Sequence, residues 1–298
     1  MKAKFLMAVW IVCGCLPLLG ALPLNESIFT EIINEAKVVT ESNKYGALAK
    51  ENEIFKAPDL VRTGRDSRVE LTAKDQTITR VGANTAFTFA ESGREIQLKQ
   101  GGVLFHSPAG AGGGAVKHRG SSAAVLGTTM IAQVLTGDRF KILSLEGRVK
   151  VTLVNGLSVT LKPGQMVIVS ADGISFGAVA NFNLGELASH ALLIVGFSDP
   201  LSSRSLIANA IRQQNLELAA GNISNLMSWQ DAALGLDIVM IPFNDSAFYL
   251  DLFSSEWNPL DFPGGDHVFV IVPLEFATGS IIPVIKPPVV TKTNPPVP

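Results

Sequence analysis

Gly173-Ile-Ser-Phe-Gly177 has the G-x-S-x-G spacing that raises a serine nucleophile on a strand-to-helix elbow. Asp237 or Asp245, then His267, follow in the order an α/β hydrolase uses. Such an elbow needs a strand before it and a helix directly after it. The long stretch preceding Ser175 carries strand patterning alone, and Asp172-Gly173 after Val167-Ile-Val169 reads as a hairpin turn. No catalytic residue is therefore expected. Ala109 to Ala115 is the richest glycine stretch, with Gly110, Gly112, Gly113 and Gly114. A phosphate cradle would need a following Gly-Lys-Ser/Thr or a helix start, and neither is present, so the stretch reads as a connection between strands. Its flanking His106, Lys117, His118 and Arg119 make it a candidate partner contact. His106 and His118 could approach across the loop, but two histidines without a carboxylate make a poor metal site, and no metal or cofactor is expected. Asp251 and Glu256 flank Trp257 with nothing to fix their separation, so no glycosidase pair is evident. Phe248, Tyr249, Phe253, Trp257 and Phe262 lie in a polar, Gly/Pro-interrupted stretch. Exposed, they would stack on sugars or contact a protein; buried, they would form a second core.

The elements that must position these residues change character along the chain. Arg68 to Thr72, Gln76 to Val81, Thr85 to Phe89, Arg94 to Leu98, Arg148 to Leu153, Leu157 to Leu161 and Gln165 to Val169 alternate apolar with polar. Between them stand Ser92-Gly93, Glu146-Gly147, Asn155-Gly156, Pro163-Gly164 and Asp172-Gly173. Short strands punctuated by such turns predict a mainly β fold, an antiparallel roll or sandwich. After Ser175 the period lengthens. Asn183-Leu-Gly-Glu186 is a capping-box start for a helix through about Val195, and Ser203 to Ala220 forms an amphipathic helix stopped by Gly221. A further short helix is expected over Ser224 to Leu234, and two strands over Leu236 to Phe243 and His267 to Phe276. This is a small α+β region. From residue 281 six prolines interrupt any apolar period, so 281–298 is expected to be a disordered tail.

The chain has 298 residues, with 24 Lys plus Arg against 26 Asp plus Glu. That near-balance does not suggest a nucleic-acid partner, which needs a basic stripe, and none is expected. Hydrophobic residues at 47% and charged residues at 17% exclude a disordered or fibrous chain. Lys2 and Lys4 precede an apolar run from Phe5 to Leu19, which reads as a signal peptide over residues 1–21 cleaved after Ala21. Val12-Cys13-Gly14-Cys15 is a loose lipoprotein box, disfavoured because Leu16-Pro17-Leu18-Leu19 replaces a polar tether. Both cysteines fall in the leader, so the mature chain would contain neither a disulfide nor a thiolate, and no membrane-spanning helix is expected after cleavage.

Within the β half, Asp59 to Leu71, Thr79 to Phe87, Leu98-Lys-Gln-Gly-Gly-Val-Leu104, Ala124-Val-Leu-Gly-Thr-Thr129, Leu145 to Val151 and Leu161-Lys-Pro-Gly-Gln165 follow in a set order. That order resembles the FecR domain, the envelope-exposed β module of bacterial sigma-factor regulators. The resemblance covers about residues 54–172. It implies a β module whose matching residues are structural, among them the turn glycines Gly64, Gly82, Gly127, Gly147 and Gly164. Founding members carry an anti-sigma segment before a transmembrane helix. Only a few residues precede the apolar run here, so no such segment and no iron-uptake signalling role is expected. The expected organisation is a signal peptide over 1–21, a FecR-like all-β domain over 25–178, a helical segment with two extra strands over 179–280, and the tail. The expected function is non-enzymatic: an exported periplasmic or extracellular module that binds or scaffolds an envelope protein or glycan, through His106, Lys117, His118, Arg119 or Trp257. The alternative is a carbohydrate-binding accessory module acting through the Trp257 region.

Overall fold

The computed structural model describes residues 22–224 and 226–233, together with the backbone of two short strands beyond them. Strands β1 (Glu26–Ile33), β2 (Ala36–Val39), β3 (Ala47–Leu48), β4 (Ile54–Lys56), β5 (Leu60–Thr63), β6 (Arg68–Thr72), β7 (Ile78–Val81) and β8 (Ala86–Phe89) lead into the long β9 (Glu95–Ser107). Then come β10 (Gly114–His118), β11 (Ser121–Val125), β12 (Thr128–Leu135), β13 (Arg139–Glu146), β14 (Val149–Thr152), β15 (Ser158–Leu161) and β16 (Gln165–Val169). The chain continues through β17 (Ala180–Phe182), α1 (Leu184–His190), α2 (Leu192–Val195), α3 (Arg204–Ala219), β18 (Leu226–Met227) and α4 (Trp229–Ala233). Beyond these, β19 (Ile238–Met240) and β20 (Phe248–Leu250) form an antiparallel pair.

The expected mainly β, antiparallel class is what the chain adopts. One sheet runs β4-β1-β6-β7-β9-β12-β13-β16-β17-β18, parallel only at its last pair. A second runs β3-β2-β5-β8-β9-β10-β11-β14-β15, parallel only between β9 and β10. Strand β9 belongs to both. Its first half pairs with β8 and β10, and from Gly101 onward it pairs with β12 and β7. A strand that changes sheets must bend, and Gly101 does so at φ +78°, where a Cβ would lie 2.6 Å from the Thr85 Cα. Thr85 secures the corner. Its N–H donates to the Thr63 hydroxyl at 2.9 Å, and its own hydroxyl accepts from the Gly102 N–H at 3.0 Å.

Alternation then sorts the side chains. Phe29, Phe55, Phe87, Phe89, Ile96, Val103, Phe105, Val116, Phe140 and Val151 point between the sheets into one core. Phe29, Phe55, Phe87 and Phe89 meet there with ring centroids 5.3–6.1 Å apart. The opposite parity of the first sheet, including Leu104, Ile131, Leu143, Leu145 and Met166, forms a second core with Phe182, Leu184, Leu187, Leu193, Ile207 and Trp229.

The capping-box start is present, with the Asn183 side chain accepting from the Glu186 N–H, but the helix breaks at Ala191 into α1 and α2. Helix α3 occupies nearly its expected span, and Gly221 follows at φ +74°. Ser224 to Leu234 holds a short strand before a short helix. Residues 1–21, most of Leu236 to Phe243, His267 to Phe276 and the 281–298 tail lie outside the described residues.

Replacing Gly101 with alanine should destabilise the protein by roughly 3 kcal/mol, through left-handed strain and overpacking on Thr85. Gly110 also has positive φ, but nothing lies within 4 Å of its Cβ position. Gly110→Ala should cost about 1 kcal/mol. Urea denaturation of both variants checks the difference.

Candidate functional site

The densest group of titratable and hydroxyl side chains lies on the outward face of the first sheet, beneath the helices. Strand alternation sends Arg80, His106, Thr129 and Lys141 to this face. Arg80 is fully buried. Its Nε lies 2.7 Å from Glu70 Oε2, its Nη1 donates to the Ile194 carbonyl at 2.8 Å, and its Nη2 donates to the Asp199 carbonyl at 2.7 Å. The guanidinium also sits 4.4 Å from the centre of the Phe197 ring, and Glu70 accepts from Thr30 Oγ1 at 2.8 Å. The pair is thus desolvated but partnered, and it ties α2 and the segment after it to the sheet. Glu31 adds a surface contact, accepting from the Ser198 N–H and hydroxyl.

Lys141 is 1% exposed, and its Nζ donates to the Ala232 carbonyl at 2.9 Å. Burial pushes its pKa down to about 7. Nearby, the Thr129 hydroxyl is the hub of a buried network. It lies 2.9 Å from His106 Nδ1, 2.8 Å from Glu146 Oε1 and 2.8 Å from Ser203 Oγ. Burial lowers the His106 pKa and raises that of Glu146, so both are shifted toward their uncharged forms. His106, Thr129, Glu146 and Ser203 are each 5% exposed or less. The arrangement is a buried polar lock between sheet and helices.

The candidate residues around the glycine stretch do not form one surface. His106 and His118 are both buried, for different reasons: the parity of β10 points His118 between the sheets, while His106 lies on the outward face of the first sheet and is covered by the helical segment. His118 Nδ1 lies 2.9 Å from the Leu98 carbonyl, and its ring packs 5.7 Å from that of Phe140. Both were expected at a partner contact, and in the structure neither ring is exposed. Lys117 does face solvent and pairs with Glu95 at 2.7 Å, while Arg119 pairs with Asp138 at 2.6 Å. Trp257 lies outside the described residues, as do Asp237, Asp245, Asp251, Glu256 and His267.

Ser175 sits in a turn with no helix directly after it. Its N–H donates to Ser170 Oγ, and Val169 bridges to Phe176 across the turn. Hydrogen bonds from the Ser170 hydroxyl, and then from the Ile174 N–H, hold the Asp172 carboxyl below its ordinary value. Among the described residues no group of three or more His, Cys, Asp or Glu could hold a metal. Of the five turn glycines, Gly127, Gly147 and Gly164 have positive φ and Gly64 and Gly82 do not. Gly164 also makes room for helix α3. A Cβ there would lie 3.1 Å from the Gln214 Cδ, and Gln214 bonds the Phe182 carbonyl and the Leu184 N–H.

Sequence reasoning missed the open face. The outward positions of the second sheet include Lys37, Arg62, Lys99, Lys117 and Lys150. Their signal was one cation at an outward position on each of five strands, visible only once those strands are known to be neighbours.

The model of the FecR protein family matches residues 59–150, the span from the start of β5 into β14. The chain therefore carries a FecR domain, as its motif order suggested. Two crystal structures of a protein provisionally named an anti-sigma factor, from Parabacteroides distasonis ATCC 8503, are similar at 18% and 17% identity, each with a TM-score of 0.36. The similarity covers 41% of this chain and 59% of theirs, under two thirds of their length. No curated protein matches the sequence.

Replacing Arg80 with methionine would leave Glu70 buried without its cation, and should cost about 3–5 kcal/mol in equilibrium unfolding. Lys141 gives a pH-dependent test. Its folded pKa lies below the ordinary value of 10.5, so the unfolded chain holds more protons between about pH 7 and 10.5. Stability should rise with pH across that window and lose this dependence in Lys141→Met. Unfolding free energies at pH 7 and pH 10 for both proteins check the sign.

Proposed function

We propose that this protein is a non-enzymatic, exported module that binds or scaffolds a macromolecular partner in the bacterial cell envelope. The observation that carries the reading is the FecR domain over residues 59–150. Two further features support it. The polar cluster around Thr129 is buried under the helices and bonded within itself, which suits a structural role better than a chemical one. The basic start and apolar run of residues 2–19 suit export. No helix among the described residues is long and apolar enough to cross a membrane.

The helical segment belongs to the binding module in this reading, because Leu104, Ile131, Leu143 and Met166 need its cover. A chain ending at Ala178 is expected to expose that face, to bind a hydrophobic dye and to unfold at a lower temperature than the longer protein.

Crosslinking in intact cells, followed by mass spectrometry, tests the function. The expected outcome is an envelope protein or glycan recovered above background and a mature N-terminus at Leu22. Turnover that depends on one particular Ser, His or Asp would overturn the non-enzymatic reading. An acylated Cys15 would replace the free exported form with a lipoprotein.

A further inference from the structure

We infer that the solvent face of the second sheet is a binding surface for an acidic polysaccharide. The inference rests on the binding reading above and names the surface and the class of partner.

The chain as a whole carries a formal net charge of −2. The outward positions of this sheet do not share that balance. They carry Lys37 on β2, Arg62 on β5, Lys99 on β9, Lys117 on β10 and Lys150 on β14, and Glu95 is their acid. Glu95 pairs with Lys117, and Glu35, at the turn before β2, pairs with Lys37. Among the described residues no ion pair involves Arg62, Lys99 or Lys150, and all three are exposed. Arg62 and Lys99 line a shallow cleft together with Leu60, Thr63, Asn84, Thr85, Ala86 and Gln100. Two cations beside side-chain amides are suited to a carboxylate or sulfate group.

The rest of the face is small and polar. Strand register places Thr88, Gln97, Lys117, Ser122, Thr152 and Ser158 in one row across six strands. Ala115, Ala124, Lys150 and Thr160 make the row beside it. At about 4.8 Å per strand, the longer row spans roughly 24 Å, the length of several sugar units. Short side chains let a polymer approach the sheet closely, while hydroxyls and amides offer hydrogen bonds between the fixed positive charges.

That composition separates the polysaccharide from other anions. A nucleic acid held as a single strand calls for aromatic side chains to stack bases, and these outward strand positions have none. A lipid surface calls for apolar side chains inserted among the cations. Here Val39, Leu48 and Leu60 lie at the β2, β3 and β5 edge, with Leu60 beside Arg62 and Lys99 in the cleft, and the two rows that carry Lys117 and Lys150 have no large aliphatic residue. A protein partner would need a buried apolar anchor at the centre of the patch, where Ala86, Ala115, Ser122 and Ala124 stand instead. A hydrated chain with regularly spaced acids needs only charge and hydrogen bonds.

The test measures binding of the full-length protein to dextran sulfate and to polygalacturonate, with neutral dextran, phosphatidylglycerol vesicles and duplex DNA in parallel. Both acidic polysaccharides should bind, neutral dextran should not, and affinity should fall about tenfold or more between 50 and 200 mM salt. Combined Arg62→Gln, Lys99→Gln and Lys150→Gln should weaken binding at least tenfold without moving the melting temperature. The same number of changes off the face, at Lys56, Lys74 and Arg212, should leave binding within twofold. Equal losses in the two triple variants, tighter binding to DNA or to vesicles, or no binding to either polysaccharide would overturn the inference. If an envelope protein is still captured by crosslinking in that last case, the broader binding reading stands without it.

Discussion

The corner at Gly101 is the constraint on which the rest of this fold depends. One strand serves two sheets, and it can do so only because a residue without a side chain turns left-handed against the Thr85 backbone. Upstream of the corner β9 receives β8 and β10; downstream it receives β7 and β12. Strands that precede β9 and strands that follow it are therefore registered against a single segment. The Thr63 and Thr85 hydroxyls supply the bonds that a regular ladder would otherwise lose at the bend. A slip of one residue in β9 would exchange its inner Ile96, Leu98, Val103 and Phe105 for the outward Glu95, Gln97, Leu104 and His106.

Once the sheets close on their shared core, each still has an outward face, and the two faces are treated oppositely. The first carries enough apolar area to require a cover, which α1 to α4 provide. Burying that face also buries Arg80, Lys141 and the Thr129 network, so each must find a partner on the covering segment. Isolated charges there would cost several kcal/mol. The helix-segment carbonyls of Ile194, Asp199 and Ala232 meet that need. These bonds add little net stability compared with an apolar replacement, but they fix where the helices dock, since any other placement leaves a buried donor unsatisfied.

The second sheet keeps its outer face in water. Small polar residues and spaced cations need no cover, and a flat array of this kind suits a partner that stays hydrated. The covered face supports the fold, and the open face is the one proposed above for recognition.

Strand alternation made the mainly β class legible in the sequence, because the two-residue period follows directly from which side chains seek water. The capping box at Asn183 and the stop at Gly221 were legible too, since both are local backbone bonding rules. Ser175 was correctly read as a turn residue from the absence of a following helix. The sequence by itself could not tell which neighbours a histidine has. His106 and His118 flank a glycine-rich stretch and read as surface groups, but whether they face solvent depends on which strands, and then which helices, come to lie beside β9 and β10. Nor could it show that Arg62, Lys99 and Lys150, far apart in the chain, share one face. Local periodicity determined the elements and their turns, while strand pairing across long separations decided which charges were buried with partners and which were gathered in the open, because those pairings are set by total burial and not by any local signal.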